Sequence, residues 1–292
     1  MSCILCACKG QVLEIKGPRQ PGFTTITDSK TVVFIHGMYL TPASWRDWET
    51  YFQRQGYTTY SPAWPLHDLS VDEQNALHPS AELSALTLPM VLQPYRDFIA
   101  TLPEPPILIG HSMGGLIVQK LLDEHVAAAG IAIDSAPPFG VFSVEPAFLA
   151  ANLHIFNPSV SVSTPIKLSF QQFQYGFANG MTLEEQQDAY LNNVVPESRR
   201  IGRATLSSGA KVKTDEARAP LLIVASGSDH TATPGLNYTN FRLFKKTPAI
   251  TDWRMFPGRN HWTIRQQGWE LVADYVSHWI DANKVPVGSE QP

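Results

Sequence analysis

At 292 residues, 43% hydrophobic and 16% charged, the chain suffices for one large domain or for a core domain carrying an insertion. A net charge of −4 gives no electrostatic reason to expect nucleic acid or an anionic membrane as partner. No apolar run approaches the roughly 18 residues of a membrane span.

The first ten residues, MSCILCACKG, lack a basic leader, and their apolar stretch is too short for a secretory signal. Cys3, Cys6 and Cys8 have no nearby fourth ligand for a metal. The expectation is a cytoplasmic chain with reduced thiols in a frayed tail. QVLEI is a strand candidate ahead of TVVFIHG, whose continuous apolar run predicts a strand buried on both faces.

In TPASWRDWETYFQRQG, Thr41 suits an N-cap and Pro42 a first helical turn, and Trp45, Trp48 and Phe52 share one face. Gly56 closes that helix, and YTTYSPAW follows as a strand. Residues 66–84 read as a polar loop before a helix ending near Leu102. Pro89 and Pro94 blur where that helix begins. PPILIGHSMGGLIVQKLLDEH then predicts a buried strand, a Gly-rich turn and an amphipathic helix. GIAIDSAPP, residues 219–231 and residues 249–263 supply further strands, and RQQGWELVADYVSHWIDANK a closing helix. Alternating strands and helices predict an α/β fold, a mostly parallel sheet flanked by helices on both faces.

Residues 137–218 interrupt this alternation, with helical segments such as the capping box Thr182–Glu185 and aromatics including Phe139, Phe148, Phe156, Phe173 and Phe177. The expected organisation is a core of residues 1–136 and 219–292, with 137–218 as a helical cap.

GHSMG at 110–114 fits the G-x-S-x-G pattern in the strand-to-helix setting that exposes a serine hydroxyl. Gly110 and Gly114 flank Ser112 where a Cβ would collide with neighbouring backbone. A serine nucleophile needs a base, and the base needs an orienting acid. His261, in the GRNHW loop after the last strand, is the candidate base; His36 and His111 lie within their own turns. Asp229 follows the strand LLIVASGS on the sheet's ligand-binding edge, and His230 beside it should point away. Asp134 ends the preceding strand and is the rival acid.

These motifs resemble the α/β-hydrolase superfamily in order and spacing from about Thr31 to Ile280. That resemblance implies a serine hydrolase with Ser112 as nucleophile, Asp229 as acid and His261 as base. It also implies an oxyanion hole from the backbone N–H groups of Met38, after the His-Gly turn, and Met113. Dehalogenases and epoxide hydrolases of the fold carry Asp at the elbow, so Ser112 argues against those reactions. With only about 30 residues before the first central strand, the usual N-terminal antiparallel strands should be reduced.

Tyr39, Trp64, Phe139 and Trp262 are candidates for lining the substrate pocket. The expected substrate is a small, largely apolar carboxyl ester, with neither cofactor nor metal. An acyltransferase, lactonase, amidase or C–C bond hydrolase would use the same triad, and a non-catalytic ligand-binding protein would keep the fold.

Overall fold

The computed structural model describes residues 14–17, 26 and 28–284. Cys3, Cys6, Cys8 and the start of QVLEI lie outside the described residues.

Seven strands form one sheet: β1 (Glu14–Ile15), β2 (Thr31–Ile35), β3 (Thr58–Tyr60), β4 (Ile107–His111), β5 (Ala129–Ile133), β6 (Leu221–Ser226) and β7 (Thr251–Phe256), in spatial order β1-β7-β6-β5-β4-β2-β3. All neighbours are parallel except β1, which pairs antiparallel with β7, Ile15 opposite Trp253. β1 is the one antiparallel strand among the described residues.

Every residue of β2, β4, β5 and β6 is buried, as continuous apolar runs require when both faces are covered. Alternate residues serve opposite layers. Val33 and Ile35 join a core with α4 (Leu88–Ala100) and α5 (Met113–Leu122). Val32 and Phe34 join one with α1 (Arg46–Arg54) and α11 (Glu270–Ala282). Trp45, Trp48 and Phe52 share the α1 side, Trp45 stacking on Phe34 with ring centroids 5.0 Å apart. Gly56, at φ +84°, takes the left-handed conformation that ends a helix. Thr41 precedes a short 3-10 turn, Pro42–Trp45, without bonding it through its side chain.

Two segments differ from the sequence expectation. Residues 66–84 hold two short helices, α2 (Val71–Ala76) and α3 (Ala81–Ala85), each N-capped by a serine, Ser70 and Ser80. Pro89 lies in the first turn of α4, where a missing N–H costs nothing, and Pro94 is carried inside the helix.

Between β5 and β6 come α6 (Pro146–Phe156), α7 (Phe170–Gly176), α8 (Leu183–Asn193) and α9 (Arg199–Ala204). Thr182 and Glu185 form the reciprocal capping box of α8. α10 (Pro234–Leu243) follows β6. The β5–β6 segment is tied to the loops at the strands' C-terminal ends: Val195 N–H donates to Tyr39 O at 2.9 Å, and Trp262 N–H to Phe177 O at 3.0 Å.

Candidate active site

β4 feeds α5 through Ser112, which sits at φ 56°, ψ −120°. A residue with a Cβ held there stores roughly 1–3 kcal/mol of strain. Its surroundings fix it: Ser112 N–H donates to Ile133 O, and Ser112 O accepts from Gly115 and Ala136 N–H, each at 2.9 Å. A Cβ on Gly114 would lie 2.1 Å from Ile35 O, so only glycine lets α5 begin this close to β2. A Cβ on Gly37 would meet the Ser112 Cβ at 2.8 Å, which is why the His-Gly turn can lie against the elbow.

The loops after β6 and β7 bring two further side chains to the serine. His261 Nε2 is 3.0 Å from Ser112 Oγ, and His261 Nδ1 is 2.6 Å from Asp229 Oδ2. Asp229 Oδ1 accepts from the N–H groups of Thr231, at 2.6 Å, and Ala232, at 2.9 Å, leaving Oδ2 for the imidazole. All three residues are buried. With Nδ1–H donated to the carboxylate, Nε2 presents its lone pair to the hydroxyl. Such a hydroxyl can pass its proton to the imidazole as it attacks an electrophile.

Asp134 does not join this chain. Its carboxyl accepts from the backbone N–H and the hydroxyl of Ser226, at 2.6 and 2.7 Å. Burial, and then the neighbouring Asp229, push its pKa well above the usual carboxylate range.

His111, His36 and His230 are engaged locally. His111 Nε2 donates to His261 O at 2.8 Å, steadying the backbone of the loop that carries His261. Burial, reinforced by His261, holds His111 well below the ordinary imidazole value. His36 is pushed down to about 3, by burial and then by His67; its Nδ1–H donates to Gly37 O while Nε2 accepts from Trp64 N–H. His230 donates to Tyr175 O, away from Ser112. His111, Asp134 and His261 bring potential ligand atoms within 4.8 Å of one another, but these groups are engaged with one another's loops, Asp229 and Ser226.

The backbone N–H groups of Met38 and Met113 have no hydrogen-bond partner among the described residues. Both residues line a cavity of about 40 Å³ beside Ser112, shared with Tyr39, Phe148, Ile155, Phe156 and Phe177. Of the four expected pocket residues, only Tyr39 reaches it. Trp64 is buried against His36, ring centroids 4.6 Å apart, and Trp262 packs on Phe173. Phe139 is turned to solvent. An aromatic's place in sequence near a catalytic loop does not decide which side of the backbone it takes.

Sequence reasoning missed Asn179, and it counted Phe177 only among the cap's aromatics as a group. Asn179 Nδ2 donates to Ser228 O and the backbone carbonyl of Asn179 accepts from Asn260 Nδ2, both at 2.8 Å, clamping the acid loop to the histidine loop. Phe177 stands edge-on to the His261 ring at 4.6 Å. No local sequence signal marks either residue.

A mostly parallel sheet whose central strand delivers a strained serine to a buried imidazole defines a hydrolase of the α/β class. The sequence matches the alpha/beta hydrolase family over residues 32–275, and the chain belongs to that family. No curated protein sequence matches it.

Among solved structures, the chain is similar to a monoacylglycerol lipase from Paleococcus ferrophilus, with 18% identity, TM-score 0.62, and 94% of this chain and 100% of that one covered. It is also similar to a pyrethroid hydrolase from Sphingobium faniae JZ-2 (16% identity, TM-score 0.60, 86% and 97% covered). A methylesterase from Arabidopsis matches at 15% identity and TM-score 0.60, with 86% and 99% covered. Among the described residues no helix is long and apolar enough to cross a membrane.

Proposed function

We propose that the protein is a serine carboxylesterase that cleaves small, largely apolar esters through an acyl-enzyme on Ser112. The observation that carries this reading is the His261 imidazole bridging Ser112 Oγ at 3.0 Å and Asp229 Oδ2 at 2.6 Å. His261 takes the hydroxyl proton as Ser112 Oγ bonds to the ester carbonyl carbon. It then returns that proton to the departing alkoxide. Water, deprotonated by the same nitrogen, releases the acid in the second half. Asp229 fixes the ring and stabilises the imidazolium.

The free N–H groups of Met38 and Met113 suit the tetrahedral oxyanion, each worth about 3 kcal/mol in such a role. Because those donors belong to the backbone, methionine serves at both positions. The β5–β6 helices act as a cap, supplying Phe148, Ile155 and Phe156 to the pocket wall. Lipase and esterase structures among its structural neighbours are in keeping with this chemistry.

About 40 Å³ of free space holds only a few water-sized volumes, which favours a short acyl chain. Across p-nitrophenyl esters, kcat/KM should peak at acetate or butyrate and fall at least about tenfold by octanoate. A flat or rising series would contradict the small pocket.

A further inference from the structure

We infer that the protein carries a second ligand site, for phosphate or carboxylate oxygens, in a cavity of about 350 Å³ lined by His78, His154, Lys167, Gln172 and Arg199. Among the described residues, no aspartate or glutamate lines it. The site stands independently of the reaction assigned to Ser112.

Arg199 is the anchor. It is only 5% exposed, yet its guanidinium meets no carboxylate among the described residues. Nε donates to Thr164 O at 3.3 Å, and Nη1 to the carbonyls of His154 and Ile155. All these acceptors are neutral, and Nη2 has no hydrogen bond among the described residues. Arg203, one turn on, differs: its Nε and Nη2 close the end of α6 on the carbonyls of Ile155, Asn157 and Val160. A guanidinium without a counter-charge, its unbonded Nη2 open to the cavity, would gain from a bound anion. The guanidinium fork suits two oxygens of a carboxylate or phosphate.

Two further groups point the same way. His78 Nδ1 is buried with no hydrogen-bond partner. Lys167 makes no ion pair among the described residues, and after burial it is the cause that holds His78 below the ordinary imidazole value. An anion between the lysine and the imidazole would reverse that repulsion.

The site adjoins the catalytic cavity without being part of it. Ile155 and Phe156 of α6 face Ser112, whereas His154 and Asn157 face the second cavity. Tyr39 OH, on the catalytic side, lies within hydrogen-bond distance of His154 Nε2, at 2.9 Å.

The test is isothermal titration of the intact protein, at fixed ionic strength, with inorganic phosphate and separately with acetate. One saturable site is expected, with a dissociation constant of about a millimolar or below. Affinity should fall about tenfold in Lys167→Ala, fall further in Lys167→Glu, and stay unchanged in Ser112→Ala. Tighter binding of phosphate would assign a phosphate-bearing ligand, and tighter binding of acetate a carboxylate. Absence of saturable binding by either anion, binding unaltered by both Lys167 variants, or binding lost with Ser112 would overturn the assignment.

Discussion

Asp134 and Asp229 follow adjacent strands and lie close enough for each to feel the other's charge, yet their hydrogen bonds separate them. Asp229 takes two backbone N–H groups on one oxygen and the imidazole on the other. Asp134 is buried and bonded to Ser226 rather than to the imidazole, its pKa is pushed up, and asparagine has nearly its shape. Asp229→Asn should therefore lower kcat by about four orders of magnitude, because the imidazole loses its orienting anion. Asp134→Asn should leave kcat within about tenfold. Steady-state kinetics of both variants on p-nitrophenyl acetate checks this, and equal losses would contradict the assignment. At this scale the sequence offered both acids after buried strands, and only the packing of their carboxyls tells them apart.

Between elements, the feature least visible in sequence is a buried ion pair joining the loop after β3 to the segment before α9. His67 Nε2 faces Glu197 Oε2 at 3.3 Å, out of hydrogen-bond line, with both side chains fully buried. Burial opposes charge on His67, but Glu197 more than offsets it, and the imidazole's pKa is raised. A folded value above the unfolded one of about 6.5 means that folding takes up a proton. The stabilisation is complete below the unfolded value and is lost as pH rises through the folded one. In chemical denaturation, wild type should exceed His67→Gln by about 3 kcal/mol near pH 5.5, and the gap should narrow by pH 9. A gap that stays constant or widens with pH would remove the ion pair from the account.

Regular elements were the readable part. Continuous apolar runs marked β2, β4, β5 and β6, and the spacing of Trp45, Trp48 and Phe52 marked the buried face leading into α1. α2 and α3 escaped notice because six- and five-residue helices carry too little periodicity to register, although Ser70–Glu73 was a capping signal in plain view.

Across the whole molecule, the sheet divides two apolar layers and brings the loops after β4, β6 and β7 together at one edge. Ser112, Asp229 and His261 were legible because each falls just after a buried strand, where α/β sheets gather their ligands. The pocket was not legible in the same way. Trp64 and Trp262 fill core space, while Ile155 and Phe156 come from a segment whose sequence says nothing about which face meets the serine. Periodicity reports burial, and it does not report against what.

The reaction rests on the Ser112 oxygen being nucleophilic where it stands. Intact-mass and peptide mass spectrometry after treatment with a fluorophosphonate tests this directly. A single adduct on Ser112 is expected in wild type, none in Ser112→Ala, and a rate reduced by orders of magnitude in His261→Ala. An adduct on another residue, or labelling of Ser112 that is indifferent to the loss of His261, would contradict the account.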